Sequence, residues 1–319
     1  MDSTIVQSAY QWTLGEPDGL NYQDILDQIE SRAEAYDEYH PTIGPFSRFD
    51  DRLVIWLNAA THEEDRKIML RMVPEILYLS SADFISLYRT AYNELVLPWL
   101  IEKEGLTITD ADITDRLKDG ISKTWFCSIT DSMHISDFYH VNNIGGVDFR
   151  PDWRCLKEFA EISKIENNMV SNGFHYLVLL EDFIGSGDQA SLTLEFAANL
   201  PKQYPVLVVP LVICAEGLKA GKSLQAEHGN LTFEPVITLE ETDLVSQYAR
   251  RNEPELFALI RDVCDRLARG LHWRYGAFGF HNTGALFVAY TNCPDNTLSI
   301  INDDSGGEWE PLFPRSSRT

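Results

Sequence analysis

A run of apolar residues that ends in two acids and a glycine-bracketed turn constrains this chain more than any other feature. Tyr176-Leu177-Val178-Leu179-Leu180 is almost continuously apolar, as is typical of a strand covered on both faces of a sheet. Glu181 and Asp182 follow at once, and Gly185-Ser186-Gly187 then turns the chain toward a helix. In an open parallel sheet, ligands bind beyond the carboxyl ends of the strands, and backbone N–H groups at such a turn suit a phosphate. We therefore predict a binding site here, with one of the two carboxylates facing the ligand.

Strands and helices alternate in the half of the chain that contains this run. Apolar stretches predict the strands, and segments with helical spacing predict the helices between them. The predicted strands are 124–129, 176–180, 204–215, 233–239 and 285–290, and the predicted helices are 151–165, 190–200 and 255–271. This alternation predicts an α/β fold built on a parallel, doubly wound sheet.

The chain is predicted to divide into three consecutive parts. Residues 1–50 are polar and acidic and are predicted to form an extended or partly helical lead-in. Residues 51–118 are predicted to form an N-terminal helical region, in which the apolar stripe from Phe84 to Leu95 marks a helix that Pro98 closes. Residues 119–319 are predicted to form the α/β domain.

The charge balance limits the partners of the protein. The 319 residues include 49 acidic and 26 basic residues, which gives a formal charge of -23. Such a field repels nucleic acid and anionic membranes, so we expect no direct nucleic acid binding and no membrane association. The five cysteines lack metal-ligand spacing and are odd in number, which argues against a zinc knuckle or a disulfide framework. With no apolar leader after Met1, a cytoplasmic location is expected.

A second glycine-rich stretch, 217–223, is similar to a phosphate-binding P-loop but does not match its spacing. A P-loop has four residues between its two glycines, whereas only three lie between Gly217 and Gly221. Glu216 occupies the position where the first glycine of a P-loop would stand. The stretch is therefore predicted to be a solvated helix or loop, whose Lys219 and Lys222 are candidates for the rim of the site.

The segment 177–187 resembles the phosphoribosyl pyrophosphate (PRPP) signature of type I phosphoribosyltransferases, with four apolar residues, two acids, two apolar residues and a loop of small residues. More narrowly, it resembles the divergent phosphoribosyltransferase-like proteins of bacterial conflict and antiviral gene clusters, the PRTase-CE group. Further stretches that fit this group are 129–133 with 138–143, 293–298, and 309–315. The resemblance thus runs from about residue 50 to the end of the chain.

This resemblance implies a phosphoribosyltransferase-like fold and a role for each candidate residue. Glu181 and Asp182 would bind the ribose hydroxyls of PRPP or a related nucleotide, and transfer would pass through an oxocarbenium-like centre. The 5′-phosphate would bind the loop of Gly185, Ser186, Gly187, Asp188 and Gln189. The pyrophosphate would face a second loop, whose candidates are Thr130, Asp131, Ser132 and His134. Mg²⁺ would be held mainly by substrate oxygens, with Asp182 as the candidate protein ligand.

The phosphate loop departs from the usual pattern, and several functions therefore stay open. Gly185 and Gln189 replace hydroxyl residues, and Asp188 places a negative charge near the expected phosphate. The first function is a PRPP-dependent ribosyl-transfer enzyme that acts as an effector in antiviral defence. The second, which these departures favour, is a catalytically degenerate subunit that senses a nucleotide and regulates a partner protein. The third is a structural adaptor whose helical N-terminal half contacts a partner protein, with the α/β domain only a scaffold. Apart from these functions, Glu181 and Asp182 have a purely structural interpretation, in which they only cap the next helix and hold the loop.

Overall fold

The computed structural model describes residues 2–15, 19–41, 47–145 and 162–316. The chain forms two compact units, of which one combines Met1–Ala82 with Glu240–Thr319 (unit 1) and the other is Asp83–Leu239 (unit 2). Unit 1 is therefore discontinuous in sequence, whereas the predicted division into 1–50, 51–118 and 119–319 is sequential and stays a prediction. The larger part of the predicted helix 151–165 lies outside the described residues.

The first half of the chain is mainly helical. Its elements are α1 (Ser3–Gly15), α2 (Tyr22–Glu30), α3 (Ala33–Asp37), α4 (Phe49–Ala59), α5 (Glu63–Met72), β1 (Leu77–Leu79), α6 (Ser81–Thr90), a π-helical segment (Ala91–Val96), α7 (Leu97–Lys103) and α8 (Ile113–Ser122). The predicted N-terminal helical region is thus present, and helices extend through the polar lead-in as well. None of the described helices has the length and apolar character that crossing a membrane requires.

Strands and helices alternate in the second half. Its elements are β2 (Thr124–Ser128), α9 (Ile135–Val141), α10 (Ile162–Ser171), β3 (Tyr176–Ile184), α11 (Asp188–Ala198), β4 (Val206–Cys214), α12 (Ala215–Glu227), β5 (Leu231–Phe233), β6 (Ile237–Leu239), α13 (Glu255–Leu267), β7 (Phe287–Ala289) and α14 (Ser299–Asn302). The α/β fold is as predicted, with parallel strands.

The main sheet lies in unit 2 and is parallel throughout its described strands. The strand order is β2-β3-β4-β5, and β6 pairs with the second half of β4. The predicted strand 233–239 is therefore two short strands, which lie one after the other along the same edge of β4. All nine residues of β4 are buried, including Pro210, which agrees with a strand covered on both faces.

Helices cover both faces of this sheet. On one face, residues such as Leu179 and Val208 pack in one core cluster with side chains of α10, α11 and α12. On the other face, the ring of Phe126 lies 5.7 Å from that of Phe138 in α9, measured between centroids. Trp99 of α7 makes a similar contact with Tyr176, at 5.7 Å. The helical segment that precedes the sheet in sequence therefore supplies part of its second layer.

The helix predicted to close at Pro98 continues past it. Residues Ala91–Val96 form a π-helical segment, and Pro98 then lies in the first turn of α7, which runs to Lys103. Proline has no N–H and clashes with the carbonyl four residues earlier in a regular helix. The wider π turn immediately before Pro98 changes this hydrogen-bond register, and the chain stays helical across it.

Unit 1 has a separate core around a two-stranded parallel sheet of β1 and β7, in which Leu77 pairs with Phe287. The predicted final strand 285–290 is thus present, but it pairs outside the main sheet. Trp56 of α4 is fully buried and its Nε1 donates to the carbonyl of Ile300 at 2.8 Å. Distant parts of the sequence therefore build this core together.

Candidate functional site

The strand that leads into the site is longer than predicted. β3 does not end at Leu180 but continues to Ile184, because it stays paired with β4 as far as the pair Ile184 and Ile213. Glu181 and Asp182 therefore lie within the last four residues of the strand. Their side chains leave opposite faces of the sheet, since side chains alternate along a strand.

Glu181 fastens the loop after β2 to β3. Its side chain is 3% exposed. Its Oε2 accepts a hydrogen bond from the backbone N–H of Thr130 at 2.7 Å, and its Oε1 accepts from the Thr130 hydroxyl. Ser132 Oγ also donates to Oε1, at 3.2 Å. Both carboxylate oxygens are thus used to hold residues 130–132.

Asp182 is bound to the same loop but is less enclosed. Its Oδ1 accepts from Ser132 Oγ at 2.7 Å and from the backbone N–H of Phe183 at 2.8 Å. The residue is 9% exposed, against 3% for Glu181. Since Ser132 bonds to both acids, a single hydroxyl connects them. Of the pair, Asp182 is the acid whose side chain is better placed to reach a ligand.

Burial, and then the charge of Asp182, raises the pKa of Glu181 to about 8, although hydrogen bonds from Thr130 and Ser132 act in the opposite direction. The cause is general, because a carboxylate removed from water loses solvation that only charge-stabilising partners replace. Burial and the neighbouring charge therefore favour the protonated form of Glu181, which can donate a hydrogen bond as well as accept one.

The segment after β3 forms a tight turn. Gly187 has a φ of 91° and precedes α11, which begins at Asp188. Gly187, which has no side chain, stands at the N-cap position, and no side-chain hydrogen bond from that position caps the helix. Ser186 is 8% exposed, whereas Asp188 and Gln189 are exposed. The predicted phosphate loop is therefore a buried turn followed by an open helix N-terminus, a combination that suits an anion.

Glycines of α12 allow this turn to pack closely, which the sequence did not indicate. A Cβ at Gly217 would lie 2.6 Å from the carbonyl oxygen of Gly185, and the N–H of Gly217 donates to that oxygen at 3.1 Å. A Cβ at Gly221 would lie 2.4 Å from the ring of Phe233. The stretch that is similar to a P-loop is thus a helix, and its glycines serve close packing. The N–H of Gly217 contacts the candidate site.

The remaining candidates divide into two groups. Thr130 and Ser132 contact the acids, as described above. Asp131 and His134 are exposed, and His134 Nδ1 lies 3.6 Å from Asp137 Oδ2 at the start of α9. Lys222 donates from Nζ to the carbonyl of Phe233 at 2.6 Å and pairs with Glu234 at 3.1 Å, so its charge is already used within the edge of the sheet.

The donor atoms of the site are compatible with Mg²⁺ but do not form a complete cage. Carboxylate and hydroxyl oxygens are the hard ligands that Mg²⁺ prefers. In the ranges described here, no three His, Cys, Asp or Glu side chains are grouped so as to hold a metal ion.

Two other stretches noted in the sequence contribute to unit 1. Thr297 Oγ1 donates to the carbonyl of Phe287 at 2.6 Å, and Asn296 Nδ2 donates to Thr283 Oγ1 at 2.9 Å. In the stretch 309–315, Trp309 Nε1 donates to the carbonyl of Ile300 at 2.9 Å. These residues therefore belong to the core of unit 1.

An α/β fold with paired acids and a glycine turn at the end of a parallel strand is that of a phosphoribosyltransferase-like protein. The family model PRTase-CE matches residues 53–315, and the chain belongs to this family. Comparisons with curated proteins and with solved structures gave no match. The family assignment made from the sequence is therefore confirmed.

Proposed function

We propose that the protein binds PRPP or a related nucleotide together with Mg²⁺ at the carboxyl end of β3. The observation that carries this proposal is the linked arrangement of Glu181, Asp182 and the loop of Thr130 and Ser132, next to the turn at Gly187. A sugar with neighbouring hydroxyls suits one ionised acid, and a phosphate suits the N–H groups at the start of α11.

In this proposal the two acids have different tasks. Glu181 positions the loop of residues 130–132, because both of its oxygens already accept hydrogen bonds from that loop. Asp182 accepts hydrogen bonds from the ribose hydroxyls and contributes an oxygen to Mg²⁺. When bound, Mg²⁺ would offset the negative charge of the pyrophosphate. The loop of residues 130–132 would face the pyrophosphate, with Thr130 and Ser132 held in place by Glu181.

Transfer of the ribosyl group to an acceptor is the enzymatic form of the proposal, and antiviral defence is the setting that the family membership suggests. A sensing subunit that regulates a partner protein is the second candidate, and a specific observation favours it. Asp188 lies in the first turn of α11, where its charge opposes that of a phosphate. Weak phosphate binding suits a sensor better than an enzyme that must hold PRPP firmly.

Thermal unfolding with PRPP and Mg²⁺ tests the binding proposal. The wild-type melting temperature should rise with both together and not with Mg²⁺ alone. Asp182→Asn should abolish the rise, whereas Asp115→Asn, a matched change on the exposed face of α8, should preserve it. Asp188→Asn should enlarge the rise, since it removes a repulsive charge. A shift of full size in Asp182→Asn would show that the ligand site is elsewhere.

Pyrophosphate release separates the two candidate functions. Incubation with PRPP, Mg²⁺ and a panel of nucleobases should release pyrophosphate if the protein transfers ribosyl groups. Binding without release from any member of the panel would favour the sensor. A defence role further predicts that bacterial cells protected by the wild-type protein lose protection when Asp182→Asn replaces it.

A further inference from the structure

Unit 1 contains a cavity that the proposed function does not use. Its volume is about 320 Å³, which is at the lower end of the range for small-molecule sites, roughly 300–1,000 Å³. Residues that matter to its chemistry are Arg274, Tyr275, Asn302, Pro311, Pro314 and Arg315. Two stretches singled out in the sequence, 293–298 and 309–315, meet here, because Arg315 Nη2 lies 3.5 Å from Asp295 Oδ2.

Arg315 has hydrogen-bond donors that its neighbours do not use. Its backbone N–H donates to the carbonyl of Asn302 at 3.0 Å, which fixes the residue at the wall of the cavity. Its ion pair with Asp295 is long, with 3.5 Å between Nη2 and Oδ2. Its Nη1 is buried and has no hydrogen-bond partner among the described residues. Because Nη1 is enclosed by the protein, the cavity is lined by the rest of the Arg315 side chain, which is 30% exposed.

Arg274 brings a second guanidinium to the same cavity. Its charged group lies over the ring of Tyr275, with 5.4 Å between the guanidinium carbon and the ring centroid. It forms no ion pair with any residue in the described part of the chain. Its side chain is accessible to solvent, and only its backbone N–H is bonded, to Asp303 Oδ2 at 2.8 Å. Both arginine side chains can therefore donate to an incoming anion.

The two acids that line the cavity, Asp303 and Asp304, accept hydrogen bonds from backbone N–H groups. Asp303 accepts from the N–H groups of Arg274 and Ser305, both at 2.8 Å, through its two carboxylate oxygens. Asp304 Oδ1 accepts from the N–H of Gly306 at 3.0 Å. These hydrogen bonds hold the carboxylates in the loop, where they keep their charge, and the cationic side chains that line the cavity are those of Arg274 and Arg315. Asp303 and Asp304 remain close enough to oppose an anion, whereas the more distant acids of the chain, whose formal charge is -23, act weakly because salt screens charges beyond about 8 Å.

We propose that this cavity binds a small molecule through an oxyanion, either a phosphate or a carboxylate, held by Arg274 and Arg315. Guanidinium groups recognise both anions by paired, charge-assisted hydrogen bonds. Tyr275, Pro311 and Pro314 add flat apolar surface for the remainder of the ligand. The site is distinct from the one at β3, since all of its lining residues belong to unit 1.

Titration calorimetry at constant ionic strength tests the proposal, with inorganic phosphate in one series and sodium acetate in the other. The wild type should bind at least one of them. Arg315→Gln and Arg274→Gln should each weaken that binding by about tenfold or more, as expected for the loss of a charge-assisted hydrogen bond. Arg251→Gln, which removes the same charge from an exposed position of unit 1, should change it by less than about twofold. Binding of phosphate alone or acetate alone identifies the group that the site prefers.

Two results would overturn the inference. One is the absence of binding for both probes in the wild type. The other is equal binding in Arg274→Gln and the wild type, which would place the anion elsewhere, and which decides the matter even if Arg315→Gln fails to fold. The outcome of this test is independent of the proposed PRPP site at β3. Asp182→Asn should abolish the response to PRPP and leave the Arg274-dependent anion binding intact.

Discussion

The raised pKa of Glu181 makes the stability of unit 2 depend on pH in a direction opposite to that of most carboxylates. Glu181 keeps its proton in the folded chain up to about pH 8, whereas the unfolded chain releases it near the ordinary value of 4.5. Its contribution to stability is therefore complete below pH 4.5 and is lost as the pH rises through 8. At 1.36 kcal/mol per pH unit, the interval corresponds to a change on the order of 5 kcal/mol.

Glu181→Gln is the perturbation that isolates this effect. The amide has nearly the shape of the protonated acid and can still accept from Thr130 N–H, but it does not titrate. Urea unfolding of both proteins between pH 5 and 8 should show the wild type losing stability relative to the variant as the pH rises. In an Asp182→Asn background the difference should shrink, because the charge of Asp182 is one cause of the raised pKa. Parallel pH profiles for Glu181→Gln and the wild type would refute the reasoning.

Two further substitutions test packing and charge. Gly217→Ala should destabilise unit 2 by about 1–3 kcal/mol and abolish the response to PRPP, because its Cβ would lie 2.6 Å from the carbonyl oxygen of Gly185; thermal unfolding measures both effects. Gly229→Ala, where a Cβ meets nothing within 4 Å, is its control, and equal behaviour of the two would contradict the close-packing argument. Arg266→Met should cost about 3 kcal/mol in urea unfolding, since it leaves the buried Asp65 without its ion pair at 2.5 Å. Arg269→Met, an exposed change nearby, should have little effect, and a similar loss there would argue against the ion pair.

Sequence patterns predicted those secondary-structure elements that depend mainly on the residues within them. The apolar run before Glu181 identified a buried parallel strand, and its composition alone carried that information. The end of the strand could not be predicted, because it is set by pairing with Ile213 of β4, a contact between distant residues. The proline in α7 was misleading for a similar reason, since the π turn that accommodates it has no recognised sequence signal.

The sequence predicted where the candidate site lies but not the hydrogen bonds that connect its residues. Two acids at the end of a strand are visible in the sequence, and so is a loop with hydroxyl side chains. That Glu181 accepts from Thr130 and Ser132 depends on the register of β2 against β3, which one sequence does not reveal. The supporting role of Gly217 also depends on how α12 lies against the turn.

The interrupted course of unit 1 has a consequence for how the protein is made. The ribosome completes β1 long before β7, its partner in the two-stranded sheet, and the whole of unit 2 is synthesised in between. The amino-terminal helices therefore cannot complete their core until the end of the chain has been synthesised, and apolar side chains such as Trp56 stay exposed to solvent. Unit 2 can already fold during this interval. Nascent chains of this protein should depend most on chaperones during that interval.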